Sequence, residues 1–313
     1  MESHTPVLLA EVVAALNINP SGVYMDATYG RGGHAEAILG QLAVDGRLVC
    51  LDRDPEAILW ARARFGADPR VTLFQAPFST LADCAERVAP QLCFDGILFD
   101  LGVSSPQLDA AGRGFSFMHD GPLDMRMTAG VGASAADVVN TATEAELIRI
   151  FREYGEERFA PRIARAITAD RKGRPFERTL QLAEMIARVA PTRERHKHPA
   201  TRVFQALRMH VNRELPELDL ALDAALGKLR PAGRLAVISF HSLEDRRVKH
   251  FMRRHALPDP MYAGLPQIPP RARPTLRLVG KAVVPQAAEA ERNPRARSAR
   301  LRVAERLAWD LAA

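Results

Sequence analysis

Apolar and polar positions alternate along this chain with two periods. Between residues 7 and 16 the apolar positions recur at helical spacing, and a Pro20-Ser21-Gly22 turn follows. Four short apolar runs rich in β-branched and aromatic residues come next, at 23–26, 48–52, 71–74 and 94–100. Each is separated from the next by a stretch long enough for a helix, which is the pattern of buried parallel strands. Helices are predicted from about 34 to 42, from Pro55, at a position that tolerates proline, and from about Ser79. Strands alternating with helices imply right-handed crossovers and a doubly wound α/β sheet.

The next strong strand, 234–240, arrives only after a gap too long for an ordinary crossover. Helical patterns at 144–154, 158–170, 179–189 and 201–211 fill that gap. Residues 108–215 therefore read as a mainly helical domain inserted into a sheet domain made of 1–107 and 216–313. A helix over 217–229 delivers the fifth strand, and Ser242-Leu243-Glu244-Asp245 has the form of a capping box opening the basic helix 246–255. A proline-rich loop, 258–274, leads to two late strand candidates, 275–284 and 298–303, expected as an antiparallel pair at the sheet edge.

Composition adds limits. The 313 residues, 47% hydrophobic, supply the core of one large domain or two ordinary ones. No apolar stretch approaches the roughly 20 residues a bilayer requires, and Glu2 and Glu11 flank and interrupt the first one, so neither a membrane helix nor a signal peptide is expected. The default location is the cytoplasm. Cys50, Cys84 and Cys93 lack metal or disulfide spacing and read as reduced, structural thiols. The net charge of +6 conceals an asymmetry: residues 1–150 hold 10 Lys and Arg against 19 Asp and Glu, and residues 151–313 hold 33 against 18. The basic half, dominated by arginine, is a candidate polyanion surface or a solvated exterior; composition does not separate the two.

Three of the predicted strands stop on an aspartate, at Asp26, Asp52 and Asp100. Ligands of parallel sheets bind beyond the strands' carboxyl ends, so these acids are expected around one crevice. Beside them Gly30-Arg31-Gly32-Gly33 lets backbone approach a ligand and leads into a helix N-terminus with unpaired N–H groups. Gly30, Gly32 and Ala35, with Asp52 about 20 residues beyond, also fit a dinucleotide fingerprint. Asp26 discriminates, because an acid at the head of the loop repels a pyrophosphate and suits a cation. S-adenosylmethionine, with a sulfonium, an ammonium and a ribose diol, matches the acids better. Asp54 before Pro55 reads as a helix cap, which leaves Asp52 for the ribose. Phe78 is a candidate for stacking on adenine, and His34 for contacting the cofactor's carboxylate or capping the turn. The polar, glycine-punctuated segment after Asp100 lies where a transferred group would be. Its Ser104-Ser105-Pro106 is a loose relative of amino-methyltransferase loops, and no cysteine nucleophile is near, which favours a nitrogen or oxygen acceptor.

With these residues the sequence resembles the bacterial 16S ribosomal RNA cytosine N4-methyltransferases, the MraW or RsmH type. The resemblance runs through 4–9, the Asp26 to His34 loop, Leu51 to Pro55, Asp100 to Gln107, Gly114 to Met127, Tyr154 to Glu157, His198 to Arg202, Ile238 to Arg246 and Asn293 to Ser298. It implies a Rossmann-like class I methyltransferase sheet with an inserted helical domain for RNA recognition. It further implies S-adenosyl-L-methionine as donor and, as acceptor, the N4 amine of a decoding-centre cytosine, position 1402. Carried over by position, the cofactor contacts are Gly32, Gly33, His34, Asp52 for the ribose, Phe78 beside adenine, and Asp100 and Gln107 near the donor end. Asp100, Ser104 and Ser105 are the candidates for orienting the amine, and no metal is called for. Ala27 and Tyr29 stand where Gly and Phe are expected, and His119 where Arg is commoner. The implied partner is 16S ribosomal RNA in the small subunit, with its base unpaired or flipped and its phosphates met by insert-domain arginines, Arg246-Arg247, Arg253-Arg254 and the arginines of 295–302. No membrane partner is expected, and a homodimer is among the arrangements the sequence allows. The rivals are a dinucleotide-dependent oxidoreductase, which lacks an acid–base pair here, and a non-catalytic RNA-binding assembly factor, which a methyl-transfer assay separates.

Overall fold

Strands form where the apolar runs stand, and the helices between them cover both faces. The computed structural model describes residues 6–190, 198–262, 265 and 267–308, and for Ser105 and Pro106 the backbone only. His4 and Thr5 of the first motif lie outside the described residues. The chain divides into two compact units, Met1–Gly102 with Pro216–Ala313, and Val103–Leu215.

The sheet of the first unit comprises β1 (Val23–Asp26), β2 (Arg47–Asp52), β3 (Val71–Gln75), β4 (Phe94–Asp100), β5 (Leu229–Ser239), β6 (Leu276–Leu278) and β7 (Arg300–Arg306), in the order 3-2-1-4-5-7-6. β1 to β5 pair in parallel, while β7 runs antiparallel to both β5 and β6. This is a Rossmann-like class I methyltransferase sheet. All four residues of β1 and Leu48–Leu51 of β2 are buried, as expected of strands covered on both faces. The chain winds one way from β1 to β3 and the other way from β4 to β5. The order therefore reverses between β1 and β4, and sheets of this kind take ligands beyond the strands' carboxyl ends at such a reversal.

Along the chain the helices are α1 (Leu9–Leu16), α2 (Gly33–Leu39), α3 (Pro55–Phe65) and α4 (Leu81–Val88). The second unit contains α5 (Ser105–Asp109), α6 (Ala135–Thr141), α7 (Glu144–Gly155), α8 (Ala160–Asp170), α9 (Thr179–Val189) and α10 (Thr201–Val211). After them come α11 (Glu214–Lys228), α12 (Ser242–His255) and α13 (Ala287–Arg292). Asp54 caps α3 by accepting from Glu56 N at 3.0 Å, with Pro55 in the first turn. The second unit packs Leu147, Ile150, Phe151, Ile163, Leu182 and Phe204 into its own core. Asn212 ties the 113–127 loop to it through Met125 O at 2.8 Å and Met127 N at 2.9 Å.

Several expectations shift. The first unit ends at Gly102 rather than 107, because Val103 and Leu108 pack on the helical core. The cap of α12 is His241, not Ser242: its Nδ1 accepts from Glu244 N at 3.4 Å, and the Glu244 carboxylate turns back to Phe240 N at 2.9 Å. Helix α2 stops at Leu39, with Gly40 as its C-cap. Of the two late strands, β6 shrinks to three edge residues and β7 lies inside the sheet between β5 and β6. No helix among the described residues is long and apolar enough to cross a membrane.

Candidate functional site

The loop after β1 is shaped from beneath. Tyr29 N donates to Leu51 O at 2.9 Å, and Gly32 takes φ +75° at the cap of α2. A Cβ on Gly32 would lie 2.3 Å from the Tyr29 hydroxyl oxygen, and one on Gly33 would lie 2.1 Å from Pro6 Cγ. Only glycine fits at either position.

Backbone donors hold Asp52, which is half-buried. Its Oδ2 accepts from Gly30 N and its Oδ1 from Asp54 N, both at 2.8 Å, and each oxygen keeps a lone pair. Burial outweighs these backbone donors and pushes the carboxyl up to about 6. Asp26 differs from the sequence expectation. It is 1% exposed and faces no open space; Oδ1 accepts from Thr28 N at 3.1 Å, and burial, reinforced by Asp52, pushes it up to about 7.

Asp100 closes the other side of the switch point. Its backbone N donates to Thr28 Oγ1 at 2.6 Å, and its side chain is 27% exposed. Oδ1 is buried and has no hydrogen-bond partner, while Oδ2 lies 3.5 Å from His34 Nδ1. Burial, then the fields of Asp26 and Glu244, hold this carboxyl well above the ordinary range. His34 is 5% exposed, and its Nε2 lies 3.1 Å from Val7 O. A carbonyl oxygen only accepts, so Nε2 carries the hydrogen and Nδ1 is a lone pair. Burial lowers the imidazole to about 4, so it is neutral and offers a carboxylate ligand no charge.

Phe78 starts a one-turn 3-10 helix after β3 and is half-buried, its ring edge-on to Phe99 with centroids 5.8 Å apart. Ala76 N, donating to Asp52 O at 2.9 Å, ties this loop to the ribose candidate. Gly32, Gly33, His34, Asp52, Phe78 and Asp100 thus stand at the carboxyl edge of β1 to β4 in one unit. Ser104 and Gln107 belong to the other unit, where Gln107, 7% exposed, accepts from Ser104 N at 2.9 Å. Ser105 opens α5, and its side chain lies outside the described residues. Sequence reasoning treated Glu244 only as a helix-start residue. At 3% exposure, with His241 Nε2 3.1 Å from Oε1, it is a buried acid whose field reaches Asp100. Its place just past the end of the fifth strand was the available signal.

Chemically, burial makes these carboxyls costly to ionise, and a bound cation lowers that cost. A polyphosphate would raise it. A ligand with a positive charge and a vicinal diol fits the donor set, the charge near Asp100 and the diol on Asp52.

A family model described as the MraW methylase family matches residues 1–307 of the chain. The ribosomal RNA small subunit methyltransferase H of Idiomarina loihiensis is 53% identical over 309 residues, covering 98% of each chain. That of Thioalkalivibrio sulfidiphilus is 55% identical over 307 residues, again covering 98% of each. Among solved structures, an rRNA methylase from Streptococcus thermophilus aligns with 11% identity and a TM-score of 0.42, over 96% of this chain and 94% of that one.

Proposed function

Because the chain belongs to the MraW methylase family, we propose that it transfers a methyl group from S-adenosyl-L-methionine to the N4 amine of decoding-centre cytosine 1402 in the 16S RNA of the small ribosomal subunit. The observation that carries the donor assignment is the group of buried acids around a side-chain-free loop. Asp52 presents two backbone-anchored oxygens to a diol, and Asp100 stands where a cation relieves a strained carboxyl. Support for ribosomal RNA comes from relatives that carry this substrate in their names over the same length. A cytoplasmic location goes with that substrate.

Nitrogen as acceptor is supported by the thiols. Cys50 is fully buried within β2, Cys84 is buried in α4, and Cys93 precedes β4 at the end opposite Asp100, so none is placed to attack a pyrimidine carbon. When bound, the donor supplies an electrophilic methyl on a positively charged sulfur. The protein's task is then to orient a poor nucleophile whose lone pair conjugates with its ring. Asp100 Oδ2 is an acceptor for one amine proton, and the Ser104 hydroxyl and the Ser105 segment are the further candidates. The inserted helical unit, 103–215, is assigned to RNA recognition. Methyl-labelled donor incubated with small subunits lacking the modification tests this reading: label is expected in the 16S RNA, and its absence while the donor binds overturns the activity.

A further inference from the structure

We propose that His34 and Asp100 form a proton-holding pair that exchanges a proton for the positive charge of the methyl donor. Asp100 carries a hydrogen on Oδ2, directed at His34 Nδ1, when no cation is present. It gives the proton up as a cation binds, and it takes one back from the target amine when that charge disappears. This rests on the donor assignment made above and adds to it a role for His34 that is neither ribose nor methionine contact.

The geometry carries the pair. Val7 O, 3.1 Å from Nε2, fixes the hydrogen of a buried neutral imidazole on that nitrogen, so Nδ1 can only accept. An ionised Asp100 would turn an acceptor oxygen toward that acceptor nitrogen across 3.5 Å and leave Oδ1 buried without a partner. The acid form removes both conflicts: Oδ2–H points at Nδ1, and Oδ1 becomes a carbonyl oxygen, the weaker acceptor and the less costly one to leave unbonded. The groups facing Asp100 agree. Asp26 at the end of β1 and Glu244 in α12 are both acids, Thr28 Oγ1 accepts from the Asp100 backbone N–H while its own hydroxyl hydrogen goes to Asp26, and His34 in α2 is neutral. Among the described residues, no cation is among the causes that act on this carboxyl.

The reaction balances around this pair. The N4 lone pair forms the new N–C bond, the C–S electron pair stays with sulfur, and the sulfonium charge becomes a neutral thioether. The methylated nitrogen then releases one proton. Asp100 Oδ2 takes it, and the resulting O–H turns to His34 Nδ1. The net charge of the crevice is the same before and after transfer, and the rebuilt acid no longer favours a cation over its neutral product. His34 acts through Asp100 and is a positioning residue.

Two variants separate its two hydrogen bonds. His34→Gln keeps a donor for Val7 O and loses the acceptor facing Asp100, whereas His34→Asn keeps an acceptor at the δ position and loses the Val7 tie. Infrared difference spectra of the ligand-free protein read the acid form of Asp100 directly, as a carboxylic C=O band missing in Asp100→Asn. The band is expected at neutral pH, titrating at lower pH in His34→Gln than in the unaltered protein and close to its original pH in His34→Asn. Its absence at neutral pH, or the same titration in His34→Gln, overturns the pair whatever the ligand is. Calorimetry in buffers of different ionisation enthalpy supplies the second arm. S-adenosylmethionine is expected to release about one proton more than its demethylated thioether, and His34→Gln to reduce that difference. Equal release for the two ligands overturns the exchange. Failure of S-adenosylmethionine to bind counts against the donor assignment, while the infrared band still decides the pair.

Discussion

At the scale of single residues, the site is a balance between burial and backbone donors. Asp52 has two N–H partners and still titrates high, which marks a carboxylate that gains from a ligand. Asp52→Ala should weaken donor binding by about 1.5 to 3 kcal/mol, roughly 10- to 150-fold, through loss of charge-assisted bonds. Calorimetry showing unchanged affinity would remove the ribose assignment. The acids also set a pH dependence. With Asp26 and Asp52 raised to about 7 and about 6, the native state binds more protons than the unfolded chain above pH 4, and stability falls as pH rises toward those values. His34, lowered to about 4, works the opposite way below its ordinary 6.5. Near pH 7 the raised acids, Asp100 among them, outweigh the residual opposite contribution of the lowered His34, His210 and His255, so the Tm of the ligand-free protein should fall between pH 6.5 and 7.5, and Asp26→Asn should flatten the fall. A slope unaffected by Asp26→Asn would contradict this. Tyr29, where the resembled family has Phe, buries a hydroxyl with no partner among the described residues. Tyr29→Phe should raise stability by about 1 kcal/mol, readable by denaturant unfolding.

At the scale of elements, the close approach of Pro6 to Gly33 makes the N-terminal segment a floor for the loop. Gly33→Ala should cost about 1 to 3 kcal/mol by overpacking, while Gly112→Ala, with nothing within 4 Å of its Cβ, serves as the comparison; equal Tm values would refute the packing argument. The same level shows what the sequence could express. Helices α9 and α10 were legible to the residue, because a single apolar face against one core imposes a strict period. The doubly wound sheet was legible from strands alternating with helices, whereas the strand order, with β7 inside the sheet, rests on pairing between distant segments. The α12 cap was misplaced because His241 imitates a capping side chain, and α6 was missed because its seven residues hold too few periods, although Ser134 and Asp137 form a capping box. At the site, Asp52 and the glycine loop were readable from strand ends and spacing. The burial of Asp26 and the approach of His34 to Asp100 arise from tertiary packing: Val7 O holds His34, and the field of Glu244 reaches Asp100, both from distant parts of the chain.

At the scale of the whole molecule, the proposed function assigns the cationic donor to the acidic first half and the RNA phosphates to the arginine-rich remainder. Much of that charge is already paired: Arg247 with Asp219, Arg254 with Asp223 at 3.6 Å, and Arg302 with Asp245 at 2.7 Å. On α12 the exposed positions Arg246, His250 and Arg253 fall on one face, the stripe that the proposed function assigns to a nucleic-acid backbone. RNA affinity should fall with salt at a slope of roughly −0.7 per phosphate contacted, and Arg253→Glu should make that slope shallower; a flat response would exclude a phosphate-reading surface. The most direct test of the central claim is nucleoside analysis by mass spectrometry of 16S RNA from undermethylated small subunits, after incubation with this protein and isotope-labelled S-adenosylmethionine. N4-methylcytidine carrying the label at the decoding centre is the predicted result. Label on a ring carbon, on a ribose or on no nucleoside at all would contradict it.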